Sequence, residues 1–141
     1  MHEPKSATIF FIDDDPKTGE LMQRFCANAA MQCTIFTHPQ QALDAFKVDK
    51  HVDLIVSDLQ MPDMSGIELL TEVRKINTNI PFIILTGYAN VDNAIEALRL
   101  GANDFLKKPF DMDELLILIN KTLDHHALAL ENTQLKKQLK Q

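Results

Sequence analysis

Five short apolar runs alternate with five amphipathic segments along the chain, and this alternation limits the folds open to it more than any other feature. The runs are TIFFI (8–12), CTIFT (33–37), DLIVS (53–57), PFIIL (81–85) and DFLKK (104–108). Short, β-rich and mostly continuous apolar runs are expected of strands buried on both faces. Helical stripes lie between and after them. Leu21, Met22, Phe25, Cys26 and Ala29 form one, and Ala42, Leu43 and Phe46 a second. Ile67, Leu70 and Val73 form a third, Val91, Ala94, Ile95 and Leu98 a fourth, and Leu115, Leu116, Ile119 and Leu123 a fifth. Strand–helix units repeated in this order predict an α/β fold, with a parallel sheet and helices on both of its faces.

In such a sheet all strands deliver their carboxyl ends to one edge, where ligands and chemistry collect. The residues arriving there are unusual. The first strand leads into Asp13, Asp14, Asp15 and Pro16, and the third into Asp58. The fourth leads into Thr86 and Gly87, and the fifth into Lys107, Lys108 and Pro109. Clustered carboxylates repel one another unless a cation is bound. Hard oxygen donors suit Mg²⁺, which takes one or two carboxylates and keeps several waters. A lysine adds a compact positive charge for phosphoryl oxygens, a threonine hydroxyl adds a donor, and Gly87 leaves the approach open. These are the parts for phosphoryl transfer to a carboxylate, in which positioning and charge neutralisation carry most of the catalysis.

Singly, each part has a plainer reading. The aspartate run is also a solvated loop or a helix N-cap, with Asp15 or Pro16 opening the first helix. Thr86 is also a strand end, and Lys108 a surface charge. The weight lies in their joint arrival at strand ends of one chain.

Composition narrows the classes further. At 141 residues and 16.0 kDa the chain has room for one domain with a sizeable core. A net charge of -6 argues against direct nucleic-acid binding by this segment, which calls for a basic surface. It says nothing of a DNA-binding domain in a longer parent protein. IFFI (9–12) and LLILI (115–119) are too short to span a bilayer, and no membrane partner is expected. The amino end does not read as a signal peptide, because its apolar run ends in three aspartates. Cys26 and Cys33 are too few and too far apart for a zinc ribbon or a CxxC motif, and read as buried thiols. A reducing, cytoplasmic setting is expected.

IDDDP, SDLQMPDMSG, ILTGYA and FLKKPF, in this order and at these intervals, resemble the receiver domain of two-component response regulators. The resemblance covers about residues 7–124. It implies a doubly wound, flavodoxin-like (βα)5 fold with strand order 2-1-3-4-5. It implies that Asp58 is the phospho-acceptor and that Asp13, Asp14 and Asp58, with the Gln60 backbone carbonyl, hold Mg²⁺. Thr86 resembles the switch hydroxyl and Lys108 the phosphate-contacting lysine. Lys107 is only its neighbour, since the family's lysine directly precedes a proline. The Lys108–Pro109 bond is expected to be cis. Phe105 stands where the family carries its rotating aromatic residue, and Gln60 and Tyr88 where phosphoryl lifetime is tuned. The implied partner is a sensor histidine kinase or a phosphotransfer protein. The implied function is a phosphorylation switch that alters the face of the fourth helix, fifth strand and fifth helix. Catalysis is expected to extend only to the chain's own phosphorylation and autodephosphorylation.

Two other classes share parts of the pattern. Phosphatases of the haloacid-dehalogenase type also use an aspartate, a Thr or Ser, a Lys and Mg²⁺, but need a second acid two residues after the nucleophile. That position is Gln60, and there is no cap insertion. A flavodoxin-like cofactor site wants a Ser/Thr/Gly-rich phosphate loop after the first strand, where the three aspartates would repel phosphate.

The stretch from 125 to 141 is polar and free of Gly and Pro, so the fifth helix is expected to run on as a linker or coiled coil. Leu128, Asn132, Leu135 and Leu139 follow alternating four- and three-residue steps, the spacing of a parallel two-stranded seam. A second copy of the chain is therefore a candidate partner, and a solvated helix is the alternative. The expected organisation is a receiver over 1–124 and a helical linker or coiled-coil segment over 125–141, with a lead into an output domain as one alternative and a natural end as the other.

Overall fold

The computed structural model describes residues 7–49, 51–87 and 91–139, with side chains described for 7–49, 51–87 and 92–129. The elements are β1 (Thr8–Ile12), α1 (Pro16–Asn28), β2 (Gln32–Phe36), α2 (Pro39–Val48) and β3 (Leu54–Asp58). They continue with α3 (Gly66–Ile76), β4 (Phe82–Thr86), α4 (Val91–Arg99), β5 (Asp104–Lys107) and α5 (Met112–Leu139). The five strands form one parallel sheet in the order β2-β1-β3-β4-β5. Two cores flank it. Phe10, Ile12, Ile55, Phe82 and Ile84 pack with α2, α3 and Ala97 of α4 on one face. Ile9, Phe11, Leu54, Val56, Ile83 and Leu85 pack with α1 and α5 on the other. This is the doubly wound architecture expected.

Every residue of β3 and β4 is buried, as central strands covered on both faces require. β2 lies at the edge and is only partly buried, which corrects the reading of all five runs as buried strands. Further corrections concern the ends of four strands. β3 and β4 each sit one residue later than their apolar runs, because Asp58 and Thr86 still pair with Leu85 and Lys107. β2 starts one residue earlier than expected, at Gln32, and β5 ends at Lys107 rather than Lys108.

Local signals set the helix starts. Asp15 caps α1 by accepting from the Lys17 backbone N–H at 3.0 Å, and Pro16 occupies the first turn. Ser65 caps α3 by accepting from the Glu68 N–H at 3.1 Å. The buried lines of two helices differ from the expected stripes. In α1 the buried residues are Gly19, Met22 and Cys26, whereas Leu21 and Ala29 are exposed. A Cβ at Gly19 would run into the Ile35 side chain, so α1 lies low on β2 along its glycine line. In α4 Ala94 and Ala97 face the sheet, and Ile95 and Leu98 are exposed.

α5 buries Met112, Leu115, Ile119 and Thr122. Between Asp124 and Ala129 only His126 is even partly covered, and Leu128 is 57% exposed. The helix continues unbroken through 124 to Leu139. Among the described residues no helix is long and apolar enough to cross a membrane.

Candidate functional site

The parallel register brings four sequence-predicted side chains to one edge. Asp58 is the last residue of β3 and Thr86 the last of β4. Asp13 follows β1 directly, held by its N–H donating to Phe36 O at the end of β2 (3.1 Å). Lys108 follows β5 directly, its N–H donating to Thr86 O at 2.7 Å. Backbone bonds of the sheet thus extend into the site and fix where these side chains start.

The Lys108 ammonium binds both buried carboxylates. Its Nζ lies 2.8 Å from Asp58 Oδ2 and 3.3 Å from Asp13 Oδ2. Asp13 is 1% exposed, and its Oδ1 also accepts from the Asp15 N–H at 2.9 Å. Burial pushes the Asp13 pKa above the usual carboxylate range, and the Asp58 charge adds to this. The Asp15 N–H and Lys108 oppose both and do not overcome them. For Lys108, burial acts to lower the pKa, but the hydrogen bonds and charges of Asp58 and Asp13 outweigh it and raise it. The lysine is therefore firmly cationic.

Carboxylate oxygens of Asp13, Asp14 and Asp58 all lie within 4.8 Å of one another, Asp14 being the exposed member. Three carboxylates facing one ammonium leave an excess of negative charge. This all-oxygen donor set suits a hard divalent cation such as Mg²⁺. Asp15 is occupied otherwise, as the cap of α1. Lys107 is exposed on β5, and it is Lys108 whose ammonium enters the cluster.

The Gln60 N–H approaches Asp58 Oδ1 at 3.4 Å, at the long end for a hydrogen bond. The Thr86 hydroxyl is fully buried and donates to Gly87 O at 3.2 Å. Among the described residues, a Cβ at Gly87 would meet nothing within 4 Å. Phe105 is half-buried and packs against the core on the α2, α3 and α4 face. The Lys108–Pro109 peptide is cis, as expected. Tyr88 lies outside the described residues. Beside the cluster, a cleft of about 650 Å³ opens between Asp15, Thr18 and Leu21 of the α1 end and Gly87, Lys108 and Phe110.

Two supporting residues were not anticipated. Ser57 is fully buried and its hydroxyl donates to the Asp58 carbonyl at 2.9 Å. A Cβ at Gly66 would sit 2.5 Å from that same carbonyl oxygen, so glycine lets α3 start against the end of β3. The SG pair after the loop was a visible cue for the helix start, but not for this close approach.

The family profile of the response regulator receiver domain matches residues 9–120. Among curated relatives, the DNA-binding transcriptional regulator NtrC of Escherichia coli K12 is 34% identical over 84% of this chain and 25% of its own length. The regulatory protein AtoC of the same organism is 35% identical over 87% of this chain and 26% of its own. The chain thus spans about a quarter of the length of the curated relatives it matches. Among solved structures, a receiver domain protein from Clostridium thermocellum superposes with a TM-score of 0.83 at 30% identity, covering 87% of this chain and 98% of that one. Full-length FixJ from B. japonicum gives a TM-score of 0.81 at 34% identity, covering 89% of this chain and 61% of that one. With its parallel 2-1-3-4-5 sheet and acidic edge, the chain belongs to the receiver domain family of two-component response regulators, which act as phosphorylation-dependent switches.

Proposed function

We propose that Asp58 accepts the phosphoryl group, with Lys108 and Thr86 as its catalytic partners. One observation carries the reading: Lys108 binds Asp58 and Asp13 together at the carboxyl edge of the sheet. The donor is a phosphohistidine on a sensor kinase or phosphotransfer protein, reached through the cleft beside the cluster. An Asp58 carboxylate oxygen attacks the phosphorus in line, the P–N bond breaks, and the histidine nitrogen keeps the electron pair. Lys108 neutralises charge on the phosphoryl oxygens, and the Thr86 hydroxyl donates to one of them. Asp13, Asp14 and Asp58, with the Gln60 carbonyl, would hold Mg²⁺, which would supply further charge neutralisation for the transfer. The chemistry is confined to the chain's own phosphorylation and autodephosphorylation, in a cytoplasmic setting. Incubation with Mg²⁺ and acetyl phosphate tests the assignment, with one phosphoryl group per chain expected in the peptide containing Asp58. A label on any other residue overturns it.

The switch follows as a biased two-state equilibrium. Thr86 moves toward the new phosphoryl group, and Phe105 turns into the space this frees. The face of α4, β5 and α5 changes with it, and Ile95 and Leu98 give that face exposed apolar surface. In the longer relatives' pattern, this face would act on an output domain.

Lifetime is assigned to Gln60 and Tyr88. Tyr88 is bulky and carries no carboxylate, so it hinders water at the phosphoryl group. Autodephosphorylation of Tyr88→Ala is expected to be faster; an unchanged rate removes the role.

The receiver proper covers 1–124, and 125–141 is a helical linker able to pair with a second copy. The run of α5 to Leu139 and the exposure of Leu128 support this. Asn132 among leucines of such a seam favours a parallel pair in one register. Sedimentation of the full chain against one ending at Asp124 is expected to give a dimer for the first only. If both stay monomeric at high concentration with beryllofluoride, the tail is a linker alone.

A further inference from the structure

Arg74, near the end of α3, directs its guanidinium at carbonyls rather than at a carboxylate. Nε and Nη2 donate to Gly101 O at 3.2 and 2.6 Å, and Nη1 donates to Asn77 O at 3.2 Å. Nη2 also reaches Asn103 Oδ1 at 3.3 Å. Among the described residues no carboxylate lies within ion-pair distance of it. Asn77 is the C-cap of α3, and Gly101 follows the last turn of α4. The cation therefore stands between two negative helix ends, at the amino edge of the sheet where β5 begins, opposite the edge that carries Asp58. Gly101 N–H donates to Leu98 O at 3.2 Å and Ala102 N–H to Ala97 O at 2.9 Å, a Schellman end with Gly101 at φ 113°. The loop after α4 thus moves with its last turn. Asn103 ties this piece to the start of β4, donating to Phe82 O at 2.8 Å and accepting from the Phe82 N–H at 2.9 Å. A Cβ at Gly101 would lie 2.9 Å from Arg74 Nε, so glycine also lets the fork come close.

We propose that Arg74 is the pivot of the switch, and that α4 swings as a lever about its pinned C-terminal end. The lever rests on the reading that Thr86 moves toward a phosphoryl group on Asp58. The chain enters α4 soon after Thr86, so that movement pulls on the end of the helix away from the clamp. Little else resists it. From Asp92 to Arg99 only Ala94 and Ala97 are buried, and their methyl groups interlock weakly with the sheet. Translation of the whole helix is opposed, because Gly101 O would have to leave the Arg74 fork and Asn103 its bonds to Phe82. A tilt keeps all of these and carries Asp92 and Ile95 further than Leu100. α3 is the fixed post, held at its other end by the Gly66 N–H donating to Leu59 O at 2.9 Å. The exposed face from Ile95 to Leu98 then changes its slope without leaving the sheet.

Amide chemical shifts and hydrogen exchange of the full chain, with and without Mg²⁺ and beryllofluoride, test this residue by residue. In the wild type, beryllofluoride is expected to shift the amides of Asp58, Thr86 and residues 92–95. Those of Gly101, Ala102 and Asn103 keep their shifts and their protection. Arg74→Met keeps the stem of the side chain and removes every donor. Its Asp58 is still expected to respond to beryllofluoride. The amides of 101–103, however, exchange about tenfold faster, as for the loss of one hydrogen bond to a charged group, and now shift together with 92–95. Should Arg74→Met unfold, Arg74→Lys, which keeps the charge but not the fork, is expected to give the same change at smaller size. The pivot is overturned if Gly101 to Asn103 shift along with 92–95 in the wild type, or if the folded variant responds as the wild type does. An unmoved Asp58 amide would overturn the acceptor reading instead, and the lever with it.

Discussion

Asp58→Asn will reduce labelling by acetyl phosphate or by a phosphohistidine donor to background, while the fold persists. The amide keeps the size of the side chain and an oxygen for Lys108, whose Nζ lies 2.8 Å from Asp58 Oδ2. It lacks the nucleophilic carboxylate, so the covalent step has no acceptor. The variant also removes a negative charge that faces the buried Asp13 carboxylate and helps raise its pKa. Loss of one ion pair and relief of one repulsion oppose each other, so the melting temperature is expected to move by only a few degrees. Intact mass and a thermal melt on the same sample check both halves. Labelling of the variant at full stoichiometry would move the acceptor elsewhere on the edge, with Asp13 the first residue to examine.

The sequence made the sheet legible because its central strands are buried on both faces and their apolar runs are unbroken. It blurred their ends for the same reason. Asp58 and Thr86 look like the first loop residues, yet each still belongs to the ladder. Helix orientation was harder to read wherever small residues face the sheet. Gly19 in α1 and Ala94 and Ala97 in α4 carry little hydrophobic signal, but they decide which side of the helix can approach most closely. The larger Leu21, Ile95 and Leu98 were therefore misread as core. The site was legible because parallel strands must present their carboxyl ends together, whatever the packing beneath. What spacing in sequence does not carry is contact across elements. The hold of Lys108 on two carboxylates, the Ser57 hydroxyl on the Asp58 carbonyl and the close approach of Gly19 to Ile35 all depend on it.

Three consecutive aspartates should respond differently to removal, and the differences test the metal assignment. Asp13→Ala/Asp14→Ala will abolish Mg²⁺ binding measured by calorimetry and, with it, phosphorylation at Asp58. These two supply two of the three carboxylates whose oxygens lie within 4.8 Å of one another. With Asp58 alone and Lys108 bound to it, the cluster becomes neutral and holds nothing for a divalent cation. Of the single changes, Asp14→Ala is expected to cost more affinity than Asp13→Ala, since Asp14 is the exposed member, while Asp13 is shielded by Lys108 and the Asp15 N–H. Asp15→Ala will leave metal binding nearly intact, because its carboxylate caps α1 through the Lys17 N–H. It will instead lower stability by about 1 kcal/mol, the usual loss for an N-cap. The metal-free double variant is expected to melt at or above the parent, since the burial and repulsion that raise the Asp13 pKa disappear with it. Equal losses of Mg²⁺ affinity from all three positions would mean that the loop after β1 presents its carboxylates in another register, and the metal assignment would fall.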